Sequence, residues 1–100
     1  MQLDQITDGI LGNAIRAQNE DSFDSHKIIF WIMQYRPREY VHDLNLALDD
    51  LGDPFVNLHC AIGRRLATLS SLIQQQHEKN KSTNVRGEET ECELWQRMPV

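Results

Sequence analysis

Apolar residues recur at helical spacing in four stretches of this chain. Leu3, Ile6, Ile10, Ala14 and Ile15 predict an opening amphipathic helix, although Gly9 and Gly12 each cost about 1 kcal/mol relative to alanine in a helix interior. A polar run from Gln18 to Ser22 reads as a loop. Phe23, Asp24 and Ile28 then form a hydrophobic staple around a capping aspartate, the signature of a helix entry. The next six residues, Ile28 to Met33, are all apolar and would also suit a buried strand. The stretch from Asp24 to Tyr35 is too long for a typical strand, which decides for helix.

Pro37 disfavours helical geometry at Arg36 and suits the first turn of a new helix, so the chain should bend there and restart. Tyr40, Val41, Leu44, Ala47, Leu48 and Leu51 continue at helical spacing, and Gly52 can take the left-handed conformation that ends the helix. Asp53 and Pro54 at once supply the cap and first turn of another. Phe55, Leu58, Ile62, Leu66, Leu69 and Ile73 line one face of this last helix, which the spacing extends from Leu51 to Gln76. Asn57, Arg64, Thr68, Ser71 and Gln75 fall on the opposite side as a polar strip with a basic centre.

Beyond Gln76 the apolar spacing is lost. Cys92 and Leu94 alternate with Glu91 and Glu93, a period of two that suits a small hairpin with strands Thr83 to Arg86 and Glu91 to Gln96 and a turn from Gly87 to Thr90. The competing reading is an acidic tail whose Trp95 docks on the helices. The expected fold is therefore mainly α. It is a four-helix single domain over residues 1–100 with a helix-turn-helix-like core and a small C-terminal β-hairpin, in winged-helix-like order. Residues 1–22 form the N-terminal helix and loop, 23–76 the helical core, and 77–100 the basic loop and the hairpin or tail.

Charge sharpens this reading. The net charge of −5 argues against the whole surface binding a polyanion. Its distribution is uneven: residues 1–53 hold ten acids and four bases, whereas residues 54–87 hold one acid and five bases. Phosphate contact needs clustered cations rather than many, so a basic segment between acidic ones fits a local nucleic-acid footprint. It equally fits the solvated face of a helix. No apolar run approaches the roughly 18 residues of a membrane span, and the first segment lacks the basic start and apolar core of a secretory signal. A cytoplasmic protein with Cys60 and Cys92 as free thiols is the expectation.

On this basis the expected function is a small DNA-binding regulator of winged helix-turn-helix type. Asn57, Arg64, Arg65, Thr68, Ser71 and Gln75 would meet double-stranded DNA, and Lys79, Lys81 and Arg86 its phosphates. One difficulty is that groove contacts usually come from the start of a recognition helix, where Asn57, His59 and Cys60 carry no fixed positive charge. The alternative is a non-enzymatic protein–protein interaction module, a homodimeric helical adaptor or inhibitor. A helix that is apolar all round must be buried all round, so Ile28, Trp31, Ile32 and Tyr35 are the expected interface with a second copy.

Other chemistry finds less support. His59, Cys60, His77 and Cys92 include zinc-ligand types, but the spacing matches no standard finger, and adjacent His59 and Cys60 point 100° apart on a helix. No metal and no cofactor is expected. His26, His42 and His59 coexist with Ser25, Asp24, Asp43 and Asp49, yet neither a phosphate-binding glycine loop nor a nucleophile elbow is present, so no enzyme is expected.

Overall fold

The computed structural model describes residues 1–99. The elements run α1 (Asp8–Arg16), β1 (Ser22–Asp24), α2 (Ser25–Tyr35), α3 (Pro37–Leu46), a 3₁₀ turn (Ala47–Asp49), α4 (Pro54–Leu66), β2 (Ile73–Thr83) and β3 (Glu89–Arg97). Helix accounts for 46% of the chain and strand for 23%. The fold is therefore α+β, which corrects the mainly α expectation with its small hairpin. The three strands form one antiparallel sheet in the order β1-β3-β2.

The helix starts follow from their caps. Thr7 accepts from the Ile10 N–H, Asp24 from the Lys27 N–H, and Asp53 from the Phe55 and Val56 N–H groups, each satisfying a donor that a helix start leaves open. Leu3 and Ile6 precede α1 and do not belong to it. Gly52, at φ +98°, makes the left-handed turn expected before α4.

The helix ends depart from the spacing. Apolar positions run on to Leu51, yet α3 stops at Leu46 and Leu51 is 98% exposed. Asp49 and Asp50 sit where the helix dipole repels negative charge, which opposes extension. α4 likewise stops at Leu66, ten residues short of the expected Gln76. Past Leu66 only Leu69 and Ile73 keep the helical step, and the run that follows is polar. A helix there would bury almost nothing. As strand β2 the same residues gain ladder hydrogen bonds to β3 and bury Ile73.

The hairpin is thus longer than expected and displaced. Its turn spans residues 84–88, where the Asn84 side chain accepts from the Arg86 and Glu88 N–H groups and Gly87 takes φ +79°. Between the pairs Gln75–Trp95 and Lys79–Glu93 the residues Gln76 to Glu78 oppose only Leu94, a bulge that bends β2. Phe23, expected as a staple, lies in β1 opposite Trp95.

α2 is the centre of the domain, packing on α1, α3, α4, β1 and β3. Its all-round apolar character serves this position. Ile28, Ile29 and Ile32 join Leu11, Ile15, Leu58, Ile62, Leu66 and Trp95 in the single core. Arg97 closes the far end by donating to the Ile15, Gln18 and Glu20 carbonyls, which include one at the open end of α1, and to the Asp21 carboxylate.

Candidate functional site: the cleft between α4 and the hairpin

The expected nucleic-acid strip does not assemble on one face, because its spacing presumed a helix as far as Gln76. Ser71 lies in the turn after α4, and Gln75 lies in β2 opposite Trp95. Asn57 donates to the Leu51 carbonyl at 3.0 Å and braces the turn. Thr68 donates to the Arg65 carbonyl at 2.7 Å.

Two of the five cations are ion-paired within the chain. Arg65 grips Asp8 with two hydrogen bonds of 2.6 Å. Arg86 pairs with Asp53 and lies 5.1 Å over the Phe55 ring. Lys79 stands opposite Glu93 and Lys81 opposite Glu91 across the β2–β3 ladder. Arg64, Lys79 and Lys81 are exposed, and among the described residues none of the three is in an ion pair.

The expected dimer residues divide in the same way. Ile28 and Ile32 belong to the core and reach no surface, a correction that follows from the five elements packed around α2. Trp31 and Tyr35 remain at the surface with their rings 5.2 Å apart.

What α4 does present outward is a stripe of small and apolar groups. Val56, Cys60, Gly63 and Ala67, with Arg64 beside them, wall a cleft of about 630 Å³ whose other sides are the start of α2 and the hairpin. A volume of this size is ordinary for a binding site. A Cβ built on Gly63 would meet nothing within 4 Å, so the cleft is open there. Val56 is 54% exposed and Cys60 is exposed. The hairpin wall carries Glu91 and Glu93. A second depression of about 590 Å³ lies beyond Arg64, between the residues before α1 and the end of α4, and its Arg65 is already held by Asp8.

Two histidines stand on the cleft. His59 accepts from the Tyr40 hydroxyl at 2.7 Å, since a phenol donates and burial keeps the imidazole neutral. Burial, with the nearby His26 and Arg86, pulls its pKa from 6.5 to about 4, and burial pushes Tyr40 up to about 12. Unfolding restores the ordinary imidazole value, so between pH 6.5 and 4 the unfolded chain takes up a proton that the folded one refuses. Stability should therefore fall as pH drops through this window, by about 1 to 2 kcal/mol after allowance for partial solvent exposure. Urea titrations across the window check this, and His59→Gln, which can still accept from Tyr40, should flatten the slope.

His26 Nδ1 lies 2.6 Å from the Ser82 hydroxyl, and Nε2 lies 3.4 Å from that of Thr90. Beside it is the Cys92 thiol, whose pKa is raised by burial and by the Asp24 carboxylate. A raised thiol pKa works against nucleophilic catalysis, which needs thiolate. Sequence spacing could not assemble this group, because Ser82 and Cys92 reach His26 only through the β-ladder.

The chain matches no protein-family model, no curated protein and no solved structure. No helix among the described residues is long and apolar enough to cross a membrane.

Proposed function

We propose that the protein is a non-enzymatic protein–protein interaction module that receives an apolar segment of its partner in the cleft between α4 and the hairpin. One observation carries this reading: the outward stripe of α4 is Val56, Cys60, Gly63 and Ala67, where a groove-reading helix would present cations and amides. Small side chains let a partner's backbone approach closely. Glu91 and Glu93 on the facing wall favour a partner with a basic residue beside its apolar anchor.

A second reading, double-stranded DNA binding, rests on exposed Arg64 together with Lys79 and Lys81 at the exposed surface of β2. The two predict opposite outcomes. For the interaction module, Gly63→Leu fills open space without disturbing the core, and Val56→Asp places a charge on the stripe. Each should abolish recovery of one defined partner in a pull-down, while Lys79→Ala with Lys81→Ala leaves it unchanged. For the DNA reading, the lysine pair should instead flatten the salt dependence of duplex binding, by about one unit of slope for each phosphate that is no longer neutralised. Duplex binding that responds to the lysines and ignores Gly63→Leu would reject the proposal.

A further inference from the structure

We propose that Asp24, His26 and Cys92 form a binding site for one Zn²⁺ ion at the inner end of the same cleft. Their ligand atoms lie within 4.8 Å of one another. A carboxylate oxygen, an imidazole nitrogen and a thiolate sulfur are all donors zinc accepts, and three protein ligands leave one position open.

The fold explains why the three meet. Asp24 ends β1 and caps α2, so His26 follows it in the first turn of the helix. β3 pairs with β1 through Leu94 opposite Asp24, which brings Cys92 alongside. His26 and Cys92 line the cleft, so an ion has a route from solvent.

Two further observations point to a cation. Asp24 is 1% exposed, and among the described residues no lysine or arginine forms an ion pair with it. Its oxygens accept only from neutral donors, the Lys27 N–H at 3.0 Å and the Asn80 amide at 2.8 Å. Buried carboxylates are normally paired with a cation or coordinate a metal. The other buried aspartate is different in kind, for Asp43 accepts from three backbone N–H groups. Around Asp24 the polar side chains offer more lone pairs than protons. The Ser82 hydroxyl, 2.6 Å from His26 Nδ1, has a single proton to give. A metal ion takes lone pairs from all three ligands at once. On binding, Cys92 releases its proton to solvent and becomes the thiolate ligand.

The test uses the full chain, stripped of metal and with thiols kept reduced, in a Cys60→Ser background so that Cys92 is the one thiol left. Titration with Co²⁺ should give one saturable equivalent, with near-ultraviolet thiolate-to-cobalt absorption and the visible bands of a tetrahedral site, both displaced by Zn²⁺. His26→Gln and Cys92→Ser should each weaken binding by about a hundredfold or more, at or above the loss caused by removing a group one step outside the ligands. Circular dichroism confirms that each variant is folded, and His26→Gln alone suffices if Cys92→Ser is not. Absence of the thiolate band in excess Co²⁺ overturns the proposal, as does binding that survives His26→Gln undiminished. The Asp4, His42 and Asp43 group cannot mimic a positive result, because it contains no sulfur.

Discussion

Replacing Trp95 with alanine is expected to destabilise the fold by about 3 to 5 kcal/mol, the range for deleting a large aromatic side chain from a core. Trp95 is 1% exposed and stands at the middle of the sheet, with Phe23 of β1 on one side and Gln75 of β2 on the other. Its indole N–H also donates to the Ser25 hydroxyl at 2.8 Å, so the substitution both opens a cavity and leaves a buried hydroxyl without that partner. Trp95→Phe separates the two effects. It keeps most of the apolar area, loses the hydrogen bond and should cost about 1 to 2 kcal/mol. Urea unfolding followed by far-ultraviolet circular dichroism measures both, and an unchanged midpoint for Trp95→Ala would contradict the packing described.

That residue also marks where sequence reasoning stops. Helix starts are legible because their determinants are local: Asp24 and Asp53 cap the helices they precede, and Pro37 restarts the chain where expected. Helix ends and the sheet are not, because they depend on distant partners. Leu69 and Ile73 sit at helical steps from Leu66, and nothing nearby forbids a helix through them. The run from Ile73 to Thr83 is strand because β3 offers it a ladder, a tertiary gain that outweighs weak local preference. One signal is present in the sequence, since Asn84 and Gly87 mark a turn, and folding the chain about them sets Lys79 against Glu93 and Lys81 against Glu91.

The candidate site is legible only as residue types. The basic segment from 54 to 87 is real in composition, but the acids that pair with Arg65 and Arg86, Asp8 and Asp53, come from elsewhere in the chain. A charge count along the sequence cannot see such pairing. The apolar character of α2 does express a demand for burial all round. The expectation that a second copy must supply some of that burial fails for Ile28 and Ile32, because β1 and β3 help to cover the helix and neither strand, at its true length, is visible in the spacing. Cys92 and His26 stand far apart in the sequence, and only the register of β1 with β3 puts them on one wall.

Asp43→Ala should be the most damaging change outside the apolar core, at about 3 to 5 kcal/mol, because it removes one acceptor shared by three donors. The Asp43 carboxyl group, fully buried on α3, accepts from the backbone N–H groups of Asp4, Gln5 and Ile6 at 3.0, 2.9 and 3.0 Å. These N–H groups belong to an irregular segment with no sheet or helix to satisfy them, so one side chain takes the place of a ladder. The segment in turn places buried Ile6 in the core and Thr7 at the cap of α1. Losing the carboxyl should free residues 1–6 first and weaken α1 with them. Asp43→Asn tests whether shape alone suffices. Its amide keeps one acceptor oxygen but turns N–H groups toward N–H groups, so it should recover less than half of the loss. Hydrogen exchange should show the amides of Asp4, Gln5 and Ile6 losing protection in both variants while those of β3 keep theirs under mild conditions. Retained protection at these three amides in Asp43→Ala would mean that something other than Asp43 holds the segment in place.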